Sequence, residues 1–283
     1  MNTDSNRTDR SFRPTKKLGQ NFLTDKTVVN RIIDAAELDS KDLIIEVGPG
    51  KGALTGRIAA IVNKIYAIEK DNFLFEELNK KYAASDNMEL INGDALKTDF
   101  RGFEGKKKIK FIANLPYNIT SPVLSKLTED REIFSNIIIM IQKEVGDRIA
   151  SKPGNKVYGA LSVMIQTFFD VTHLFTVPPG SFSPKPKVDS VVIKLVPTQQ
   201  YCSLIKDSTL YTRVVKSSFS SRRKMIANSL KSEFGKEEID LCLAKAEING
   251  TRRAETVNVE EFIRLANNLY ELQQSTSSIN NSF

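Results

Sequence analysis

Residues 109 to 122 read Ile-Lys-Phe-Ile-Ala-Asn-Leu-Pro-Tyr-Asn-Ile-Thr-Ser-Pro. The central four, Asn114-Leu115-Pro116-Tyr117, are suited to holding a flat base that carries an exocyclic amine. The Asn114 side-chain oxygen and the Leu115 carbonyl can each accept a hydrogen bond from an NH2 group. Pro116 fixes φ and with it the direction of that carbonyl. Tyr117 offers a π face for stacking, as readers of single-stranded nucleic acid do. The amine of adenine is a poor nucleophile because its lone pair is delocalised into the ring. Two acceptors placed off the base plane would draw the nitrogen towards tetrahedral geometry and free that pair. A strand followed by an Asx or proline turn has the same local appearance, so the tetrapeptide alone does not decide.

The elements around it narrow the choice. Ile109 to Ala113 is an apolar run that reads as a buried strand, and in open α/β sheets ligands sit at the carboxyl ends of strands. An earlier run, Leu43 to Val47, leads into Gly48-Pro49-Gly50-Lys51-Gly52, with a helix expected from about Ala53. Strand, glycine turn, helix is the nucleotide-cofactor arrangement, in which glycines let backbone amides approach the ligand. The next strand, Lys64 to Ile68, ends in Glu69, about twenty residues past the first glycine, where a carboxylate can take both hydroxyls of a ribose. A third, Met88 to Asn92, ends in Gly93-Asp94-Ala95, where Asp94 can accept from an adenine amine. Gly48-x-Gly50-x-x-Ala53 is close to the dinucleotide fingerprint, so this pattern by itself leaves NAD open. With Asn114 to Tyr117 after the fourth strand, a nucleoside with a small tail, S-adenosylmethionine, fits better.

Further strands are expected at 136–141, 172–177 and 191–196, with helices at 142–151 and 161–168 and a basic loop at 154–159. Before the last strand lies Pro178-Pro179-Gly180-Ser181-Phe182-Ser183-Pro184-Lys185-Pro186-Lys187-Val188-Asp189-Ser190. Phe182 can cover the second face of a base stacked on Tyr117, and Lys185 and Lys187 can neutralise phosphates. A rigid connector with Phe182 in the core accounts for the same residues equally well. Near the start, Gly19-Gln20-Asn21-Phe22-Leu23 precedes Asp25, a helix N-cap, and a helix at 26–36 with Val28, Val29, Ile32, Ile33 and Ala36 on one face.

From residue 197 the pattern turns helical: 209–218, 222–230, 237–246 and 259–272. The expected organisation is a flexible basic arm at 1–17, a catalytic α/β domain at 18–196, a small all-α RNA-binding domain at 197–273 and a disordered tail at 274–283. Arg222-Arg223-Lys224 beside Phe219 suggests RNA contact.

Composition agrees with a polyanionic partner: 41 Lys and Arg against 34 Asp and Glu give a net charge of +7. Cys202 and Cys242 show no metal-like spacing and read as reduced thiols, which points to the cytoplasm. The single histidine, His173, has no acidic or hydroxyl motif beside it, which argues against histidine-dependent hydrolases and most zinc enzymes. The sequence contains no apolar run long enough to span a membrane.

Taken together these motifs resemble the ribosomal RNA adenine dimethyltransferase family, and within it the small-subunit (16S) branch. The resemblance rests on Gly19 to Leu23, Glu46-Val-Gly-Pro-Gly50, Glu69, Gly93 to Ala95, Asn114 to Tyr117, Phe182 to Ser190 and Arg222 to Lys224, and spans about residues 16 to 272. It implies a seven-stranded, Rossmann-like methyltransferase sheet whose last strand is antiparallel. It implies S-adenosylmethionine bound by Asn21, Leu23, Gly48, Glu69, Asp94 and Asn114, with Gly50 in the same bend. It implies two methyl transfers to each of two adjacent adenosines near the 3′ end of 16S rRNA, in an assembling small ribosomal subunit. No metal is implied, and a monomer is expected. Lys51, Gly52 and the polar tail are departures that leave the chemistry untouched. Leu115 and the Arg222 cluster favour this branch over the related 23S enzymes that confer macrolide resistance. A non-catalytic assembly factor on the same fold and an NAD-dependent oxidoreductase are the remaining alternatives.

Overall fold

The computed structural model describes residues 20–103 and 108–280, with 276–280 as backbone only. The expected basic arm at 1–17, Gly19 and Lys106-Lys107 lie outside the described residues.

The described chain opens with β1 (Phe22–Leu23) and α1 (Lys26–Ala36). The Asp25 side chain caps α1 by accepting from the Thr27 and Val28 amides, and Val28, Val29, Ile32 and Ala36 are buried. There follow β2 (Leu43–Val47), α2 (Thr55–Ala59), β3 (Lys64–Glu69), α3 (Asn72–Lys81), β4 (Met88–Asn92) and β5 (Ile109–Asn114). Next come α4 (Thr120–Glu129), β6 (Phe134–Gln142), α5 (Lys143–Ile149), α6 (Ala160–Phe168), β7 (Phe169–Val177), β8 (Phe182–Ser183) and β9 (Ser190–Pro197).

Seven of these strands form one sheet in the order β4-β3-β2-β5-β6-β9-β7. The last strand, β9, is antiparallel to both of its neighbours, and the remaining pairs are parallel. The direction of winding reverses at β2: the chain moves outward through β3 to β4, then returns to lay β5 on the other side of β2. At such a reversal the connections leave in opposite directions, and a crevice opens at the strands' carboxyl ends. The register pairs Val47 with Ala113, so Gly48 and Asn114 emerge side by side at its floor.

Alternate strand residues feed two apolar layers. Ile45, Val47, Phe111 and Ala113 belong to one, and Ile44, Ile65, Ile112 and Ile138 to the other. Both faces are covered, as the near-continuous apolar strands require. A separate two-stranded ribbon pairs β1 with β8 in antiparallel fashion, Phe22 with Ser183 and Leu23 with Phe182.

A helical region follows: α7 (Ser208–Ser218), α8 (Ile226–Leu230), α9 (Lys236–Lys245) and α10 (Val259–Asn280). Its core also takes Tyr158 and Val163 from upstream of residue 197. α6 carries Val163 into this core but Ile165 and Phe168 into that of the sheet. Thr167 of α6 also shares a 2.7 Å hydrogen bond with the Tyr211 hydroxyl of α7. No residue of α6 is exposed, and its polar side chains Ser162, Gln166 and Thr167 are all hydrogen-bonded, as a helix between two cores requires.

Two expectations need correction. Arg222, Arg223 and Lys224 form a turn rather than the start of a helix, and α8 begins at Ile226. Three cations in a first helical turn would oppose the positive end of the helix dipole. The expected disordered tail is helical to Asn280. Extending an existing helix is far easier than starting one, and Gln273 donates to Glu238 at 2.9 Å near the point where the tail begins. Smaller differences are that α2 starts at Thr55 after a turn, α5 stops at Ile149, and β7 begins at Phe169, directly after α6.

Helix α5 packs its Gly146 against β9 so closely that a Cβ there would lie 2.2 Å from a Val191 methyl carbon. Gly146→Ala is expected to destabilise the fold by about 1–3 kcal/mol, the usual range for overpacking. Chemical denaturation of both proteins measures the difference.

Candidate active site

Each functional side chain sits at the end of a strand or on the ribbon that crosses them. β2 ends in the glycine bend, where Gly48 and Gly50 adopt φ of +69° and +59°. These left-handed values suit glycine. A Cβ on Gly50 would also meet the Phe22 ring at 3.0 Å, so the bend and β1 fit together only without a side chain.

Glu69, at the end of β3, is buried and closes the bend. One carboxylate oxygen accepts from the Gly50 amide at 3.0 Å and the other from the Asp71 amide at 2.9 Å. Burial raises its pKa, and these two amides oppose the rise. Each oxygen keeps a lone pair for a further donor, such as a ribose hydroxyl. Asp94, after β4, accepts from the Leu96 amide at 3.0 Å and pairs with Lys70 at 2.8 Å. The bond from Lys70 holds its carboxyl below the usual range.

Asn114 ends β5. Its Nδ2 donates to the backbone carbonyl of Asn21 at 3.1 Å. A carbonyl only accepts, so this bond fixes the orientation of the amide and leaves Oδ1 to accept from a ligand. Leu115 is buried, and its amide donates to the Met140 carbonyl at 3.1 Å. Pro116, at φ −54°, turns the chain into the short 3-10 turn Tyr117–Ile119. The Tyr117 hydroxyl meets Ser190 Oγ at 2.9 Å. Burial raises the pKa of this phenol, so it stays neutral and can donate.

Phe182 resolves the choice left open by its sequence: it is 3% exposed within the core, and it also lines the cavity. The two readings are compatible because β8 lies at the boundary between core and cleft. Asn21, Leu23, Gly48, Gly50, Glu69, Asp94, Asn114, Leu115, Pro116, Tyr117 and Phe182 thus share one cavity of about 550 Å³. Lys185 and Lys187 are exposed and outside it; Lys187 borders a separate shallow depression with Lys143. Arg222, Arg223 and Lys224 are exposed on the helical region, also outside the cavity. Arg222 donates to the carbonyl of Lys156 and so ties the 152–157 loop to the helical region.

Sequence reasoning assigned no role to Glu46, Lys70 or Ser190, although Glu46 and Ser190 stand in motifs that carry the resemblance. Glu46 lines the cavity at 2% exposure, and its Oε2 has no hydrogen-bond partner among the described residues. Burial pushes its carboxyl up to about 8; the Thr55 hydroxyl beside it opposes this and the Glu69 charge adds to it. The available signal was a lone acid in an otherwise apolar strand, Leu43-Ile-Ile-Glu-Val47. Ser190 closes the proline-rich motif, but nothing in the sequence marked its hydroxyl as a partner of Tyr117.

This cavity suits S-adenosylmethionine. Glu69 and Asp94 offer acceptors for a ribose and an adenine amine, and the orphaned Glu46 oxygen offers one for a cationic tail. The glycine bend supplies backbone at close range.

A buried Glu46 has a sign-definite effect on stability. Between its ordinary pKa of 4.5 and about 8 the folded chain holds a proton that the unfolded chain gives up. Stability therefore falls as pH rises through that window. In ligand-free protein, the melting-temperature advantage of Glu46→Gln over the parent is expected to grow between about pH 5 and pH 8. A difference independent of pH would show that Glu46 titrates as an exposed acid.

Comparison with known proteins identifies the family. The family model described as ribosomal RNA adenine dimethylase matches residues 11–271. The ribosomal RNA small subunit methyltransferase A of Clostridium acetobutylicum is 43% identical over 262 residues, covering 92% of this chain and 95% of its own. That of Geobacter sulfurreducens is 44% identical over 264 residues, covering 91% and 96%. Among solved structures, a dimethyladenosine transferase from Plasmodium falciparum superposes with a TM-score of 0.76 at 27% identity, covering 86% of this chain and 95% of that one. The 23S rRNA methyltransferase ErmE gives 0.67 at 25%, covering 88% and 100%. With a family match along nearly its whole described length and such relatives, the chain belongs to the ribosomal RNA adenine dimethylase family.

Proposed function

We propose that this protein dimethylates the exocyclic amines of two adjacent adenosines near the 3′ end of 16S rRNA, in assembling small ribosomal subunits, using S-adenosylmethionine. The observation that carries this reading is the Asn114 amide, turned by the Asn21 carbonyl so that its oxygen can accept. It stands in a cavity whose wall also includes Glu69, Asp94, Tyr117 and Phe182.

Bound S-adenosylmethionine supplies an electrophilic methyl on a sulfonium centre. Glu69 would hold the ribose hydroxyls and Asp94 the cofactor's adenine amine. A target adenosine leaves its stack and enters between Tyr117 and Phe182. Flipping costs a few kcal/mol, and stacking returns about 1–3 kcal/mol. Asn114 Oδ1 and the Leu115 carbonyl accept the two amine hydrogens and aim the lone pair at the methyl carbon. Transfer there would form the N–C bond as the cofactor's S–C bond broke, and the amine proton would leave to solvent. Positioning of this kind can lower a barrier by about 7–11 kcal/mol. No dedicated base is needed, because the nitrogen becomes strongly acidic once methylated. One N–H remains after the first transfer, so the amine can turn and react again.

Lys185, Lys187, Arg223 and Lys224 are read as phosphate contacts, and Arg222 as both a contact and the tie to the Lys156 loop. The protein is taken to act as a monomer in the cytoplasm. Recognition of the small subunit is supported by the relatives named for it.

Two outcomes follow. Asn114→Ala should leave cofactor affinity within a few fold, by calorimetry, while transfer of tritiated methyl to undermethylated small subunits nearly disappears. Undiminished transfer would refute the role of Asn114, and transfer to large subunits instead would move the substrate to 23S rRNA. Replacing Arg223 and Lys224 with Ala should weaken subunit binding and reduce its salt slope by about one for each phosphate no longer neutralised. Equal affinity at every salt concentration would make these residues a solvated surface.

A further inference from the structure

Ser190 lies outside the residues assigned so far, yet among the described residues it makes the one side-chain hydrogen bond to the Tyr117 hydroxyl. Its Oγ is 2.9 Å from that hydroxyl, and the residue is 1% exposed. It begins β9, where its backbone is paired with Gln142 of β6 on one side and Val177 of β7 on the other. The tether is thus anchored in the interior of the sheet, whereas Tyr117 stands in a short turn on the cavity wall. Without it, the phenol would swing about χ1 and χ2 into the cleft. Restricting those torsions only when a base arrives would cost free energy at each binding event. A hydroxyl fixed at the far end of the ring removes that cost in advance.

Phe182, the other aromatic wall, is held by the same loop. The Thr24 amide and hydroxyl both donate to the Ser181 carbonyl, at 2.9 and 3.1 Å, and Ser181 Oγ donates to Asp25 at 3.0 Å. Leu23 pairs with Phe182 in the ribbon. The loop from Ser181 to Ser190 therefore fixes one wall at its start and the other at its end.

We propose that Ser190 is a positioning residue for methyl transfer: its hydroxyl tethers Tyr117 and presets the ring as the platform on which the target adenine stacks. The inference rests on the reading of Tyr117 as a stacking face. A purely structural serine would affect folding alone, whereas this one acts on the base through a single partner.

The test is a double-mutant cycle with Ser190→Ala, Tyr117→Phe and the combined variant. Tyr117→Phe removes the same bond from the cavity side and keeps the ring, so the cycle does not depend on Ser190→Ala folding perfectly. Three readouts apply: kcat/KM on undermethylated small subunits, cofactor affinity, and fluorescence of an RNA carrying 2-aminopurine at the target adenosine. The chain has no tryptophan, so the probe reports without that background.

Each single variant is expected to lose up to about tenfold in kcat/KM, the size of one neutral hydrogen bond. Quenching of the probe should weaken and cofactor affinity should hold. The double variant should be no worse than either single one, because both remove the same hydrogen bond. Losses that multiply, or Ser190→Ala with parental kinetics and quenching, would overturn the proposal. Tyr117→Ala separates the two levels. If it is fully active, the stacking reading itself fails; if it is inactive while Ser190→Ala is normal, only the tether fails.

Discussion

The pairing of β2 with β5 is the constraint on which the rest depends. Those two strands are far apart in sequence, and winding reverses between them. Their register, Val47 beside Ala113, brings the glycine bend and Asn114 to one floor. Parallel pairing has a side-chain period of two, so a slip by one residue would turn Asn114 into the core and bring Ala113 to the cleft. Ile44, Ile45, Phe111 and Ile112 prevent that slip, since each is buried on its own face of the sheet. Hydrophobic packing remote from the cleft thereby sets polar geometry within it.

Over this floor lies a frame of short, local contacts. The segment from Asn21 to Asp25 touches the glycine bend through Phe22, Asn114 through the Asn21 carbonyl, and the proline-rich loop through Thr24 and Asp25. Individually these are ordinary hydrogen bonds, worth on the order of 1 kcal/mol each. Their importance is geometric: one strap restrains the Asn114 amide, the Phe182 ring and the glycine bend together.

Much of this was legible in the sequence, for identifiable reasons. β2, β3, β4 and β5 were visible as strand-like runs, and each leads at its end or within two residues to one expected to bear chemistry: Gly48, Glu69, Asp94 or Asn114. The ribbon of β1 and β8 was not legible, because two-residue strands have no periodicity to detect. The contact of Tyr117 with Ser190 joins residues 73 apart and has no local signature. Glu46 was visible as an acid in an apolar strand, but the orphaned oxygen depends on the packing around it. The turn at Arg222 to Lys224 was read as helix because propensity favours helix there; clustered charge and the contact with the Lys156 carbonyl prevailed. The role of α6 was hidden for a similar reason, since an apolar helix does not announce how many cores it serves.

That shared helix has a mechanical consequence. Val163 and Phe168 are rooted in different cores along one rod, so the junction has little freedom to bend. The separation between the cleft and the Arg223–Lys224 surface then behaves as a fixed gauge. Two neighbouring bases would then be brought to the cleft by movement of the nucleic acid, with α6 held at both ends by packing.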